Sequence, residues 1–217
     1  MRSSGPGTVG VGARRDSTGV LPSSVLESAW ERLGEEIRSC RRCPLHATRA
    51  HAVVYRGTLT PRILFVGEAP GATEDREGLP FVGRSGKRLD AAIAAAGIGP
   101  EEHGILNLVK CRPPENRFVG SAAEMCRPYL DRQLDLLRPA VLVPLGAHAL
   151  AALDPESPRI LLVAGRPRPW GDRTLFPLIH PAAALRSRRM AERWEADVRA
   201  LGAWLSGPRG RSSGEGS

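Results

Sequence analysis

Four apolar residues in a row, Ile63 to Val66, run directly into Gly67-Glu68-Ala69-Pro70-Gly71. No other stretch constrains the chain as much. An unbroken apolar run of this length fits a strand buried on both faces, as in a sheet with helices above and below. The turn stops the strand abruptly, and its glycines let a ligand approach the backbone closely. A charged run, Glu74-Asp75-Arg76-Glu77, and an apolar wedge, Leu79-Pro80-Phe81-Val82-Gly83, come next. Both are expected on a loop. Ser85 is placed to cap a helix over 86–96, closed by Gly97. Acids and an aromatic ring therefore lie beyond the carboxyl end of a buried strand, where open α/β sheets bind ligands.

Helices and strands alternate along the rest. A helix over 25–39, capped by Ser23 or Ser24, carries Trp30, Leu33 and Ile37 on one stripe. The loop after it has room for a short strand at 52–55. Further strands fall at 104–109, 140–145, 160–163 and 174–179. Helices fall at 122–137, capped by Ser121, at 148–153 and at 182–205. In the helix over 122–137, Met125, Tyr129, Leu130, Leu134 and Leu137 are expected toward the core. This alternation predicts an α/β fold with a mainly parallel sheet covered on both faces. One domain over 23–205 holds all of it. Residues 1–22 read as a disordered basic leader and 206–217 as a disordered tail.

The formal net charge is +8, carried almost wholly by arginine, since Lys87 and Lys110 are the only lysines. Arginine forks suit bidentate phosphate contacts, so a polyanionic partner such as nucleic acid fits, although a general Arg- and Ala-rich bias accounts for part of the excess. No apolar run reaches the length of a membrane span. The first residues lack the apolar centre of a secretory signal, which makes the cell interior, the cytoplasm with its nucleoid, the expected compartment. Structural disulfides are rare there. Cys40 and Cys43 are separated by two residues, with Cys111 and Cys126 far along the chain. Four thiolates suit tetrahedral zinc or an iron–sulfur cluster, and spacing alone leaves both open beside a third reading as unrelated buried thiols.

The run GEAPGATEDREGLPFVGRSGKRLD resembles the first signature of the family 4, iron–sulfur uracil-DNA glycosylases. The resemblance continues through NLVKCRPPENR and CRPYLDRQLDLLRP to IHPAAALR and spans roughly residues 38–205. It implies one three-layer α/β/α domain with a central, mainly parallel four-stranded sheet. It also implies a monomer that releases uracil from single- or double-stranded DNA and leaves an abasic site. Cys40, Cys43, Cys111 and Cys126 would hold a [4Fe–4S] cluster in a structural role, with Arg112 and Arg127 beside it.

A glycosylase reads a flipped base by its Watson–Crick edge. Asn107, at a strand end, offers the donor and acceptor that match uracil O4 and N3–H. Phe81 would stack on the base. Glu74 would crowd the C5 edge and exclude thymine. Gly67, Ala69 and Gly71 would form the backbone wall of the pocket. His180 would donate to O2 as charge builds on the leaving base. The best-known branch of the superfamily has an acid where this chain has Ala69, so Glu68 becomes the leading candidate to orient water or stabilise the sugar cation. Leu185 would wedge into the duplex, and Arg186 and Arg188 would hold phosphates. His46, His51, His103 and His148 are left as surface or packing residues. A sister branch carries a nucleophilic His after the Asn strand. KCRPPENRFVG has none, which argues against covalent capture. Three rivals stand beside this reading: a non-catalytic nucleic-acid-binding module of the same fold, a glycosylase for another deaminated base, and a zinc-stabilised nucleotide hydrolase. The last lacks a GxxxxGK loop.

Overall fold

The computed structural model describes residues 21–211. Most of the expected leader and residues 212–217 of the expected tail lie outside that range. The elements run α1 (Ser23–Ser39), β1 (Arg56–Gly57), β2 (Ile63–Gly67), α2 (Ala72–Glu77), α3 (Arg84–Ala95), β3 (His103–Asn107), α4 (Gly120–Leu137), β4 (Val141–Pro144), α5 (Ala147–Leu153), α6 (Ile160–Val163), β5 (Arg168–Trp170), β6 (Arg173–Leu175), α7 (Arg188–Ser206) and α8 (Pro208–Arg211).

The six strands order as β1-β3-β2-β4-β6-β5. The inner four, β3, β2, β4 and β6, are parallel. They form the expected four-stranded core, and the two short edge strands pair antiparallel to it. Along β2 the side chains alternate between two cores, as the strand pleat demands. Leu64 and Val66 face Leu33, Ile37, Leu130, Leu134 and Leu150 of α1, α4 and α5. Ile63 and Phe65 face Leu89 and Ile93 of α3 and Trp194, Val198 and Leu201 of α7. Helix, sheet and helix thus form three layers. Burying each of these side chains stabilises the fold by about 1.5–3 kcal/mol before chain entropy is counted.

Several local expectations are corrected. Residues 160–163 form a helical turn, not a strand, with Leu161 and Leu162 exposed. A four-residue apolar run does not distinguish the two by periodicity. The charged run over 74–77 is helical, because Gly71 opens α2 and Gly78, at φ 72°, closes it in the left-handed region. Ser85 and Ser121 do not cap their helices, which begin one residue earlier at Arg84 and Gly120. Nor does Ser23 or Ser24 cap α1, which begins after Pro22. The last helix is broken. A 3-10 turn at Ala183–Leu185 precedes α7, and the Ser187 hydroxyl accepts from the Met190 N–H to cap it. Residues 52–55 are not a strand, although the Val53 N–H donates to the Lys110 carbonyl at 2.7 Å. Met125 is exposed rather than in the core. Residues 208–211, expected as tail, form α8.

Candidate active site

The carboxyl ends of β2, β3 and β4 converge on one edge of the sheet. Gly67 pairs with Asn107 in register, and the ladder continues past β3 as the Leu108 and Val109 N–H groups donate to the carbonyls of Gly67 and Glu68, each at 3.0 Å. Beyond β4, Leu145 bridges Leu178, which sets His180 two residues past the last sheet contact. These ends open into a cleft of about 580 Å³, within the range typical of ligand sites.

Glu68, Ala69, Gly71, Glu74, Phe81, Asn107, His180 and Arg186 all line this cleft. Gly67 sits behind them. A Cβ there would collide with Asn107 Oδ1 and come within 2.5 Å of the Phe81 ring, so only glycine lets these two side chains share the floor. Phe81 is buried and holds φ at 54°, which costs a non-glycine residue about 1–2 kcal/mol. Its backbone is pressed from behind by Gly86 of α3, where any Cβ would strike the Phe81 carbonyl. Strain of this kind persists only where packing over-determines it. The Phe81 ring lies 6.0 Å from the His180 ring, tilted by 35°.

Asn107 is 1% exposed, yet neither its Oδ1 nor its Nδ2 has a hydrogen-bond partner among the described residues. Leaving a buried polar group unpaired costs about 1–3 kcal/mol, so a fully unpaired amide on a cleft floor points to a ligand that completes it. Gln133, the other buried amide, is different: its Nε2–H donates to the Val54 carbonyl at 3.0 Å and ties two segments together.

Burial lowers the His180 pKa below its ordinary value. The Glu68 carboxylate opposes the shift and Arg186 adds to it. The Ala182 N–H donates to Nδ1 at 3.1 Å. In the neutral ring the proton therefore sits on Nε2, which leaves a donor for the cleft. Glu74 Oε1 accepts the Gly83 N–H at 2.7 Å and braces the Phe81 turn against α2. Asp75 is buried and points away, accepting from the Ala50 N–H at 3.0 Å. Leu185 stands exposed beside the cleft. Arg188 lies farther out, where its Nε donates to Glu192 at 2.9 Å.

The four cysteines are reduced and line a second, tight cavity with Lys110 and Arg49. Cys40 follows α1, Cys43 precedes a 3-10 turn, Cys111 follows β3 and Cys126 rides on α4. Arg49 donates to Cys111 Sγ at 2.9 Å, and the Arg42 N–H to Cys40 Sγ at 3.4 Å. Arg112 and Arg127, expected beside the thiols, turn instead to Asn116 and Asp131. Lys110 is fully buried. Burial pulls its ammonium down to about 8 against the pull of Cys126 and Cys111, and it donates to the Asn107 carbonyl. Among the described residues no group of His, Cys, Asp or Glu is arranged to hold a metal ion. Four thiols line one cavity with N–H donors to two of the sulfurs and Lys110 among them, a donor set that as thiolates suits an iron–sulfur cluster.

Sequence reasoning missed Lys110, a lysine inside an apolar stretch, and the pair formed by Glu68 and His148. It also missed Arg84, Ser85, Pro113 and Asn116 on the cleft wall. Only Lys110 carried a signal: a charge among buried strand residues.

Residues 54–201 match the family model of the uracil DNA glycosylase superfamily, and the chain belongs to that superfamily. Its similarity is to the type-4 uracil-DNA glycosylases. That of Thermotoga maritima is 41% identical over 75% of this chain and 86% of its own. That of Archaeoglobus fulgidus is 40% identical over 77% and 88%. That of Sulfurisphaera tokodaii is 38% identical over 79% and 82%.

Proposed function

We propose that this protein is a DNA-repair enzyme that hydrolyses the N-glycosidic bond of deoxyuridine in DNA, releases uracil and leaves an abasic site. The observation that carries the reading is the buried, wholly unpartnered amide of Asn107 beside Phe81 and His180. A flipped uracil stacks on Phe81. The Asn107 Nδ2–H donates to O4, and Oδ1 accepts N3–H. Glu74, braced by the Gly83 N–H, walls the C5 edge, so the thymine methyl collides.

The electron pair of the C1′–N1 bond leaves with uracil, and the His180 Nε2–H donates to O2 as charge gathers there. The oxygen of water bonds C1′, and Glu68 orients that water and accepts its proton. Ala69 has no base to offer. Gly67 and Gly71 keep the wall bare of side chains. Leu185 fills the gap in the duplex, and Arg186 and Arg188 hold phosphates.

Cys40, Cys43, Cys111 and Cys126 are proposed to hold a [4Fe–4S] cluster, which ties α1, the segment after β3 and α4 together. The protein is taken to act as a monomer on single- or double-stranded DNA in the cytoplasm. No helix among the described residues is long and apolar enough to cross a membrane.

The test is release of uracil from a labelled oligonucleotide, read as alkali cleavage at the abasic site. Cleavage at uracil and not at thymine is expected. Brown, cluster-loaded protein that cleaves neither single nor double strands would overturn the reading.

A further inference from the structure

Beyond the cleft wall, Glu68 has a neighbour that the proposed chemistry does not use. His148 Nδ1 lies 2.6 Å from Glu68 Oε2. A carboxylate can only accept here, so the proton is on Nδ1. The His148 ring is stacked on Phe118, with centroids 4.0 Å apart and planes 11° from parallel. Phe118 lies between β3 and α4, in the stretch after Cys111 that also gives Pro113 and Asn116 to the cleft. Three segments are thus linked through His148: it reaches the turn after β2 at the Glu68 carboxylate, belongs to the start of α5 and stacks on the loop after β3.

The start of α5 serves both halves of the site. Gly146, at φ 93°, packs so closely on His180 that a Cβ would sit 3.1 Å from the His180 Cβ. Two residues on, His148 reaches Glu68. Only one oxygen of that carboxylate is engaged among the described residues, and Glu68 itself lines the cleft. A glutamate on a turn has three soft torsions and samples several rotamers. Fixing Oε2 from outside removes most of that freedom and leaves Oε1 for the cleft. The Glu68 side chain is 28% exposed and that of His148 50%. As a bare surface pair they would contribute little. The stacked ring is what makes the pair directional.

We propose that His148 is a positioning residue for Glu68: its Nδ1–H, held in plane by Phe118, sets the carboxylate that orients the hydrolytic water. The role rests on the reading of the cleft as a uracil-excision site. His148 lies behind Glu68 and does not line the cleft, so its loss changes the rate of the bond-breaking step and not the binding of DNA.

The experiment is single-turnover excision of uracil, measured across DNA concentrations with cluster-loaded protein. The variants are His148→Phe, His148→Asn, Glu68→Gln and the double variant Glu68→Gln/His148→Phe. His148→Phe keeps the stack and removes the donor. Its maximal rate is expected to fall on the order of tenfold, with the half-saturating DNA concentration unchanged. His148→Asn, which puts an amide N–H near the place of Nδ1 but has no ring to stack on Phe118, recovers only part of the rate. In the Glu68→Gln background His148→Phe costs no further rate, because a residue that acts through Glu68 has nothing left to act on. An equal loss in both backgrounds, a shift in half-saturation instead of rate, or a wild-type rate in His148→Phe overturns the proposal. If His148→Phe folds poorly, His148→Ala serves as the donor-free variant. A wild-type protein that releases no uracil defeats the functional reading itself, and the positioning role with it, before any variant is compared.

Discussion

Two cavities flank the segment from Asn107 to Cys111, and they are built on opposite principles. The cleft presents an unpaired amide on a rigid strand end, with its neighbours fixed by glycine contacts and a strained Phe81. The cysteine cavity gathers four thiols from three segments around a buried lysine, and it would be held together by the proposed cluster. Lys110 joins the two by donating to the Asn107 carbonyl. The reading amide and the proposed cluster site therefore sit a few residues apart. Changes on the cleft side should remove activity and spare stability. Changes on the cysteine side should remove stability first and activity with it.

The largest effect is expected from Cys126→Ser. The substitution takes one thiol from the group that joins α4 to α1 and to the end of β3. Loss of a ligand from the proposed cluster would couple directly to folding, and a fall in melting temperature of about 10 °C or more is expected. Brown absorbance and uracil release should fall in parallel. A colourless variant with unchanged melting would break the contrast between the cavities.

Asn107→Ala comes next and should behave in the opposite way. Uracil excision should drop about 10²–10³-fold, in line with removal of preorganised polar contacts from a reacting group. The melting temperature should hold or rise, since an orphaned buried amide is removed. A large loss of stability would show that the amide is structural after all. Gly67→Ala tests the same wall less severely. Its Cβ meets the Phe81 ring and Asn107 Oδ1, so the floor must shift, at a cost of about 1–3 kcal/mol. Activity should fall more than stability, and thermal melting beside excision rate measures both.

Much of this contrast was legible in the residues. The apolar run of β2 and its glycine turn placed the cleft, because a doubly buried strand and a glycine stop have few other uses. Asn107 ends β3, Phe81 sits in the turn between α2 and α3, His180 follows the bridge at Leu178, and the structure brings all three together. Residues whose setting comes from tertiary packing were not legible. His148 looked like any exposed helical histidine, since its partners Glu68 and Phe118 lie far away in sequence. Arg49 reaches Cys111 across a loop, while Arg112 and Arg127, next to thiols in sequence, turn elsewhere. Adjacency in the chain was an uneven guide to charge around the cysteines: Lys110 beside Cys111 lines the cavity, while Arg112 on its other side turns away. Ile160–Val163 was misread because four apolar residues carry no period.

The smallest predicted effect separates His180 from its surroundings by pH. Burial lowers its pKa in the folded protein below the ordinary 6.5, with Glu68 opposing the shift and Arg186 adding to it. As the pH falls below about 6.5 the unfolded chain takes up a proton that the folded ring resists. Stability should therefore decline from that point down to the folded pKa and level off beneath it, with no contribution above. Protonating Nδ1 would also set an N–H against the Ala182 N–H that now donates to it. Asp197 titrates in the other sense: burial raises its carboxyl above 3.8, so stability falls as the pH rises from there toward the folded pKa. Subtracting the melting curve of His180→Gln from that of the wild type, point by point in pH, cancels Asp197 and leaves His180 alone. A flat difference between pH 5 and 7 would mean that the ring is as solvated as any exposed histidine, and that the donor assigned to Nε2 is not held in place.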